Sequence, residues 1–293
     1  MISRRRWLGV LGTGLVNTLL PRASATTSSP STQPGSKPKP GLTTIAYNVF
    51  KCTGWPAKLA AARLGDVERE VPERLAQELM RCRPDIVNFS EAPPEPVVRR
   101  IADRMGMKYA FFPSGQDWPG AILSRLDIAE ARNCPLVEGR RPRQLFSRHW
   151  GRALVWSEFG ELAVHSVHLH ASHPGLRKLE ALEVIKAATL DIEEGRSVIV
   201  QGDLNHSPRW PTYRSWVKAG LVDTQAAVGN GDVPTINARK PRIRIDYVLA
   251  AGPIADHIKD VRVLFEGAFR TNPDDTGSFA LSDHLPVLAR FEL

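Results

Sequence analysis

The sequence of 293 residues is poor in cysteine, with only Cys52, Cys82 and Cys134. The number is odd and no two of them have the Cys-x-x-Cys spacing, so the sequence excludes a zinc knuckle and a disulfide framework. A single disulfide bond would be compatible with an oxidising compartment. The sequence leaves open whether any two of the three cysteines pair.

The sequence also lacks a comfortable membrane span. The N-terminal apolar run, residues 7–20, is too short and too rich in glycine to cross a bilayer. It follows three arginines at 4–6 and precedes an Ala-Ser-Ala sequence at 23–25. This order predicts a twin-arginine signal peptide at residues 1–25, and therefore a periplasmic or secreted protein without a transmembrane span after maturation. The alternative is a soluble amphipathic helix at the N-terminus.

No internal repeat and no second linker interrupt the rest of the chain. Residues 26–41 are rich in Ser, Thr, Pro, Gly and Lys, and this composition predicts a disordered linker because it buries too little apolar surface. Residues 42–293 are long enough for one large α/β domain with its own core. We expect this domain to be a monomer.

A strong excess of either charge is missing as well. The formal net charge of +8 falls to +4 without residues 1–25, because four arginines and no acidic residue lie there. So small a balance is weak evidence for nucleic-acid binding. Basic residues do cluster locally, and each cluster could bind a polyanion or form an ordinary solvated face. The clusters are Arg132, Arg140, Arg141, Arg143, Arg148 and Arg152, and then Arg239, Lys240, Arg242 and Arg244.

What the sequence does contain is a series of polar residues at the ends of predicted strands. The β-branched run at 197–201 ends in Gly-Asp-Leu-Asn, so Asp203 and Asn205 fall on the same side at the carboxyl end of a buried strand. Functional residues of α/β proteins concentrate at such ends. Alternatively, Asp203 belongs to a simple turn and Asn205 caps the next helix.

Other predicted strands have polar residues in similar positions. Asn48 lies at the end of the first strand, Glu91 follows the second, and His168 lies in the strand at 162–170. Taken alone, Glu91 could be an ordinary solvated residue.

A further strand is predicted at 243–249, with Asp246 inside it between two apolar residues. An ionised aspartate in an apolar strand is costly unless it is paired. His284 is a natural partner, because an aspartate can fix the tautomer of an imidazole and raise its basicity. The alternative is an Asp246 that only accepts hydrogen bonds from the backbone.

Together these residues resemble the endonuclease/exonuclease/phosphatase superfamily, whose fold is that of deoxyribonuclease. The most specific signals are Gly-Asp-Leu-Asn at 202–205 and Ser-Asp-His-x-Pro-Val at 282–287, and the elements follow the family's order over residues 42–293. The resemblance implies a four-layer α/β sandwich, with two central mixed β-sheets flanked by helices. It also implies a divalent-metal phosphoesterase site along one edge.

The resemblance further implies a metal site built from oxygen ligands. Glu91 is similar to the family's principal metal ligand, with Asn48 and Asp283 beside it. Such ligands suit Mg²⁺ or Mn²⁺.

The remaining site residues are implied to act on the substrate. Asp203 would orient or deprotonate the attacking water, and Asn205 would hold a phosphate oxygen or the nucleophile. His168 and His284 would donate hydrogen bonds to the phosphoryl group. The general base stays open between Asp203 and the pair of His284 with Asp246.

The sequence departs from the family pattern in several places. Ser166-Val167 precedes His168 where Asn-Thr is usual, and Glu180 follows Arg177 where the family has Arg-x-x-Gln. The motif of inositol polyphosphate 5-phosphatases and the acidic extension of many abasic-site endonucleases are absent. These absences disfavour both subfamilies.

The expected function is therefore an exported hydrolase of phosphodiester or phosphomonoester bonds, with nuclease-like activity favoured. Alternatives are a phospholipid head-group phosphodiesterase of the same fold, a non-catalytic exported binding module, and a zinc hydrolase using His168, His170 and His173. The substrate stays open among DNA, RNA, lipid and small phosphodiesters. Four tryptophans in loop-like sequence could stack on bases, rest on lipid or simply pack: Trp55, Trp118, Trp150 and Trp210.

Overall fold

The computed structural model describes residues 40–134, 145–229 and 231–293. The predicted signal peptide, all but the end of the predicted linker and the arginines at 140, 141 and 143 lie outside these ranges. Every helix in the described ranges is too short or too polar to cross a lipid bilayer.

Two β-sheets of six strands each face one another in the described part of the chain. The first consists of β1 (Gly41–Asn48), β2 (Ile86–Ser90), β3 (Lys108–Phe112), β4 (Gly120–Ser124), β11 (Ile258–Val263) and β12 (Val287–Glu292). The second consists of β5 (Ile128–Asn133), β6 (Trp150–Ser157), β7 (Gly160–His168), β8 (Ser197–Asp203), β9 (Val222–Asp223) and β10 (Asp246–Ala251).

Both sheets are mixed. The strand order is β11-β12-β1-β2-β4-β3 in the first sheet and β5-β6-β7-β8-β10-β9 in the second. The pairs β1 with β2 and β7 with β8 are parallel, and the other pairs are antiparallel. The predicted fold class is confirmed.

The helices in the described ranges are α1 (Ala57–Arg63), α2 (Val67–Arg81), α3 (Glu95–Met105), α4 (Pro174–Glu193), α5 (Pro211–Lys218) and α6 (Thr224–Ala227). Helices α1 to α5 flank the two sheets, and α6 contacts β10 of one sheet and β11 of the other. Short 3₁₀ turns lie at Phe50–Cys52, Pro253–His257 and Gly267–Phe269.

Three apolar layers hold these elements together. Between the sheets, residues such as Ile86 and Ile122 of the first pack with Val164 and Ile199 of the second. One outer layer joins the first sheet to α2 and α3, and the other joins the second sheet to α4 and α5. Burial of so much aliphatic surface is the main stabilising contribution to this arrangement.

Helix α2 forms as its sequence pattern predicts. Val71, Leu75 and Leu79 are spaced by four residues and lie buried on one face. Asp66 caps the start of the helix, accepting a hydrogen bond from the backbone N–H of Arg69 at 3.1 Å.

Helix α4 is also predicted by its sequence. However, two of the leucines that indicate the helix do not lie on its buried face. Leu179 and Leu182 are exposed, whereas Arg177, Glu180 and Asp191 are buried. Buried charges need partners, and each of these three side chains has them. Two of the three, Arg177 and Glu180, hold loops next to the candidate site.

Strand β10 begins at Asp246, so the prediction of a strand starting at residue 243 is wrong. The preceding residues run as a loop whose Ile243 pairs with Ile236 in an isolated bridge. Asp246 is therefore the first residue of its strand, and this position puts its side chain at the same sheet edge as Asp203, its register partner on β8.

Candidate active site

Strand ends from both sheets meet at one edge of the sandwich. In the second sheet, His168, Asp203 and Asp246 are register partners across β7, β8 and β10. In the first sheet, Asn48 ends β1 beside the end of β2, which Glu91 follows. The structure thus brings together side chains that lie more than 150 residues apart in the sequence.

Asn48 connects the two sheets at this edge. Its Nδ2 lies 3.2 Å from Glu91 Oε1 and 3.2 Å from Asp203 Oδ2, so the buried amide donates to a carboxylate of each sheet. Its Oδ1 accepts a hydrogen bond from the backbone N–H of Phe50 at 3.1 Å. The amide nitrogen therefore faces the carboxylates. Asn48 orients Glu91, and its role as a metal ligand stays a prediction.

Glu91 is a half-buried carboxylate in the loop after β2. Its backbone has a φ of 50°, a left-handed conformation that turns the chain sharply after the strand. Burial raises the pKa of Glu91, while the hydrogen bond from Asn48 and the charge of His284 lower it. A carboxylate with few donors around it is a suitable cation ligand.

Asp203 is buried at the centre of the cluster. Burial, followed by the charge of Asp246, raises the pKa of Asp203 to about 7, against the opposing effects of His284 and Asn48. Its Oδ1 accepts the backbone N–H of Asn205 at 3.0 Å. A carboxylate that titrates near neutral pH is suited to general-base chemistry.

Asp246 and His284 form a buried pair. His284 Nδ1 lies 2.9 Å from Asp246 Oδ2, and the same oxygen accepts the hydroxyl of Thr235 at 2.6 Å. Burial alone lowers the pKa of His284, but the charge and hydrogen bond of Asp246, helped by Asp203, outweigh it and raise the pKa to about 10. The imidazole is therefore charged at neutral pH. Its Nε2 lies 3.9 Å from Asp203 Oδ2.

His168 has the opposite electrostatic environment. Burial and then the nearby Arg148 lower the pKa of His168 well below its ordinary value. Arg148 Nε donates to His168 Nε2 at 2.8 Å, and Asp203 Oδ2 lies 3.4 Å from the same nitrogen. His168 is thus neutral and its Nε2 accepts from Arg148, which makes the guanidinium the charged donor at this position.

Asn205 lies two residues after the end of β8 in a left-handed conformation, with a φ of 51°. Its Nδ2 donates to the carbonyl of Leu169 at 3.0 Å, joining the ends of β7 and β8. The N-cap position of helix α5 is held by Trp210, whose side chain makes no capping hydrogen bond, and not by Asn205. The capping explanation for Asn205 is therefore wrong, because the helix begins several residues later.

Asp283 is half-buried beside His284. Ser282 Oγ donates to the carbonyl of Asn48 at 2.7 Å and accepts the backbone N–H of His284 at 3.1 Å. This hydroxyl fixes the 282–284 loop against the end of β1. The charges of Asp283 and Glu91 interact, which agrees with their both facing this edge.

The donor set at this edge fits a hard divalent cation. Ligand atoms of Asp203, Asp246 and His284 lie within 4.8 Å of one another. However, His284 Nδ1 is occupied by Asp246 and the imidazole is charged at neutral pH, so it cannot ligate through that nitrogen. The carboxylates of Asp203 and Asp246 lie in this group, and those of Glu91 and Asp283 interact electrostatically at the same edge. Oxygen ligands of this kind suit Mg²⁺ or Mn²⁺, and the assignment of Glu91 and Asp283 as the ligands stays a prediction.

The histidines of the zinc alternative do not form a metal-binding group in the described ranges. His170 Nδ1 accepts the backbone N–H of His173, and His173 Nδ1 accepts that of Leu176, each at 3.2 Å. His168 is buried, and its Nε2 accepts a hydrogen bond from Arg148 instead. A neutral imidazole that accepts through Nδ1 carries its proton on Nε2 and has no lone pair left for zinc. The arrangement disfavours a zinc hydrolase.

Sequence reasoning alone misses three residues that shape the site. In the sequence, nothing distinguishes Arg148 from the other arginines of its cluster. Thr235 lies in a loop without a recognisable motif. Glu180 accepts the backbone N–H of Phe146 at 2.6 Å through Oε1 and that of His170 at 2.7 Å through Oε2. It therefore joins the loop that carries Arg148 to the loop that follows His168. The only sequence signal for Glu180 is its place in the Arg-x-x-Gln-like pattern.

The two arginine clusters divide by their partners. Arg148 contacts the site, whereas Arg152 pairs with Asp191 and Arg244 with Asp223, both in partly or fully buried ion pairs. These last two arginines stabilise the fold.

The four tryptophans also divide. Trp150 is buried, and its indole N–H donates a hydrogen bond to His165 Nδ1. The backbone of Trp55 pairs with that of Ala280 in an isolated β-bridge. Trp118 and Trp210 each lie against cationic side chains, and one of the cations on Trp118 is the Arg148 that contacts His168. Lys51 Nζ and the Arg148 guanidinium lie 4.7 and 5.2 Å from the Trp118 ring, and the Arg177 guanidinium lies 4.9 Å from the Trp210 ring.

Two mixed sheets between helical layers, with carboxylates, amides and histidines meeting at one edge, define the deoxyribonuclease-like class of α/β sandwiches. The model of the Endonuclease/Exonuclease/phosphatase family matches residues 45–284. The chain belongs to this family. No curated protein matches the sequence.

Solved structures are similar to the chain over most of its length. An endonuclease/exonuclease/phosphatase family protein from Bacteroides thetaiotaomicron has 20% identity and a TM-score of 0.67, covering 87% of this chain and 99% of that one. A mannosyl-6-phosphatase from Bacteroides thetaiotaomicron has 20% identity and a TM-score of 0.64, covering 85% and 98%. Truncated TDP2 from Caenorhabditis elegans has 17% identity and a TM-score of 0.61, covering 86% and 98%. At these identities the likeness establishes the fold alone.

Proposed function

We propose that this protein is an exported, Mg²⁺- or Mn²⁺-dependent phosphoesterase that hydrolyses phosphodiester bonds, with a nucleic acid as the favoured substrate. The observation that carries the proposal is the position of Asp203. This buried carboxylate, with a pKa of about 7, lies between the charged His284, the neutral His168 with its Arg148, and the Asn48 amide that leads to Glu91.

Glu91 and Asp283, with Asn48 beside them, would hold the divalent ion. Bound there, the ion would polarise a phosphoryl oxygen and neutralise charge on the leaving group. The rest of the chemistry falls to the chain's own side chains.

Asp203 would accept a proton from the attacking water. The water oxygen would then bond to phosphorus while the bond from phosphorus to the leaving ester oxygen breaks. That oxygen would take a proton from solvent to leave as the alcohol, and Asp203 would return its proton to solvent. A carboxylate with a pKa raised to about 7 is a stronger base than an ordinary aspartate, which suits Asp203 to taking this proton. Asn205 is adjacent and would position the water or a phosphate oxygen.

His284 and Arg148 would stabilise the phosphoryl group as charge redistributes. Asp246 keeps His284 protonated, so its Nε2 can donate to a phosphoryl oxygen. Arg148 provides a second charged donor next to His168. Such preorganised donors commonly contribute about 3–4 kcal/mol each to transition-state stabilisation.

Phosphomonoester hydrolysis is a second candidate, because a mannosyl-6-phosphatase is among the structures that share the fold. Export is proposed from the arginines at 4–6 and the Ala-Ser-Ala sequence at 23–25, which are typical of twin-arginine signal peptides.

The experiment is a substrate panel with the purified protein. Plasmid DNA, RNA, sphingomyelin, mannose 6-phosphate and bis-p-nitrophenyl phosphate are each incubated with Mg²⁺, with Mn²⁺ and with EDTA. The Asp203→Asn variant, which is close in size and has no carboxylate, controls for contaminating hydrolases. We expect metal-dependent hydrolysis of nucleic acid and of bis-p-nitrophenyl phosphate by the wild type only. Equal activity of the variant, or no hydrolysis of any substrate, would contradict the proposal.

A further inference from the structure

Trp210 is an exposed indole that packs on a buried cation. Its side chain is 44% exposed, although it follows directly on the loop that contains Asn205. The Arg177 guanidinium lies 4.9 Å from the ring and is itself buried, so it covers one face of the indole. The 44% exposure shows that a large part of the residue remains accessible to solvent.

The position of Arg177 is fixed by the loop that follows β7. Its Nη1 donates to the carbonyls of His170 and Ala171 at 2.8 and 2.5 Å. The carbonyl of Leu169, at the start of the same loop, accepts the Asn205 amide at 3.0 Å. A continuous series of contacts therefore leads from Asn205 to the Trp210 ring, and it sets the orientation of the ring relative to the site.

Cations flank the open indole. Arg209 precedes it in the sequence, and Arg214 follows four residues later in the first turns of α5. Both are exposed, and neither forms an ion pair with any residue in the described ranges. An aromatic face with unpaired cations beside it is the arrangement that proteins use to hold single-stranded nucleic acid, where bases stack on rings and phosphates meet the charges.

We propose that Trp210, supported by Arg177, is a stacking subsite for a nucleobase of a single-stranded nucleic acid, next to the scissile phosphate. The inference rests on the proposed phosphodiesterase function and names its substrate class. A phospholipid head group has no planar ring to stack on this face, and the arginines beside Trp210 disfavour the choline ammonium that could otherwise bind an indole. Stacking of one base on an aromatic side chain typically raises the affinity about tenfold or more.

The test compares a short fluorescein-labelled deoxythymidine strand with a strand of the same length made of abasic residues. Binding is measured by fluorescence anisotropy in EDTA, so that no turnover is needed. The wild type should bind the strand with bases about tenfold more tightly. Trp210→Ala should abolish this difference, and Trp210→Phe should keep part of it. Trp156→Ala is the matched control. Trp156 is 58% exposed, but it pairs with Glu161 at the start of β7, at the end of the sheet away from His168.

Hydrolysis with Mg²⁺ gives a second readout. For the strand with bases, Trp210→Ala should raise KM about tenfold, and the loss should fall on KM rather than on kcat. The inference is overturned if Trp210→Ala binds both strands as the wild type does, if it weakens both equally, or if it weakens only binding to sphingomyelin vesicles. Unchanged cleavage of DNA by this variant would overturn the subsite and leave the proposed function intact. If the wild type binds the strand with bases more tightly but hydrolyses neither strand, the proposed function is overturned and the stacking subsite is kept.

Discussion

Replacing Asp246 with asparagine should change both the charge of His284 and the stability of the fold. His284 has a pKa of about 10, against an ordinary value of 6.5. At 1.36 kcal/mol per pKa unit, this difference corresponds to about 5 kcal/mol of net stabilisation of the imidazolium. Asp246, at 2.9 Å from Nδ1, is the largest favourable contribution. In Asp246→Asn the effect of burial is no longer outweighed, and the pKa should fall toward or below the ordinary value.

The stability effect has a defined pH window. A histidine whose pKa is raised in the folded state contributes stability that is fully present below pH 6.5 and is lost as the pH rises through about 10. Asp246→Asn should therefore lower the free energy of unfolding by about 3–5 kcal/mol near pH 6.5, the range for removing one partner of a buried ion pair. The loss should shrink as the pH approaches 10.

The assays are a histidine NMR titration and urea unfolding at pH 6.5 and 9.5, all in EDTA. Asp256→Asn, at an exposed aspartate, is the matched control. In a coupled pair the kcat of Asp246→Asn should fall about 10²–10³-fold at neutral pH, the usual effect of losing one transition-state donor. A wild-type His284 that titrates near 6.5, or an equal stability loss at both pH values, would refute the reasoning.

Three further predictions follow from other residues. The log of kcat/KM should rise with pH up to about 7 and then level off, because Asp203 must lose its proton to act as a base; a flat profile between pH 5 and 9 would contradict this role. Glu180→Gln should lower the free energy of unfolding by about 1–3 kcal/mol in urea titrations, because the new amide nitrogen would face a backbone N–H. The control Glu183→Gln, at an exposed position, should leave the stability unchanged. Equal stabilities of the two variants would show that Glu180 does not hold these loops. Changing Arg4 and Arg5 to lysine should trap precursor in the cytoplasm, as seen by fractionation and immunoblotting, and normal maturation would exclude the twin-arginine route.

The sequence predicts the buried strands and the polar residues at their ends. The run at 197–201 is wholly apolar or small until Gln201, and it forms β8 as expected. The motifs at 202–205 and 282–287 are local, so their residues could be named before their contacts were known. The pairing of Asp246 with His284 was also predictable, because a buried aspartate requires a partner.

The edge strands were not predictable from pattern alone. Strand β5 alternates between half-buried and exposed residues and contains Glu130 and Arg132, and β9 has only two residues. Such strands are held by their neighbours in the sheet rather than by their own hydrophobicity. Their existence depends on pairing with β6 and β10, which a single sequence does not reveal.

The contacts of Arg148, Thr235 and Glu180 are another part that the sequence could not predict. Each joins loops that are separated in the sequence, as Glu180 does for Phe146 and His170. The burial of a charged face on α4 reverses the usual pattern of an amphipathic helix. Only the three-dimensional packing shows that these charges have partners, and therefore that the leucines can face solvent.

The measurement that most directly tests the central claim is the Mg²⁺ dependence of bis-p-nitrophenyl phosphate hydrolysis by metal-free wild type and Glu91→Gln. The substitution removes a charged ligand with little change in volume, and Glu193→Gln, at the exposed end of α4, is the control. We expect saturable activation of the wild type and the control, and a loss of about 10²-fold or more in kcat/KM for Glu91→Gln at any Mg²⁺ concentration. Hydrolysis that persists in EDTA, or a Glu91→Gln variant that responds to Mg²⁺ as the wild type does, would contradict a metal-dependent phosphoesterase site at this edge of the sandwich.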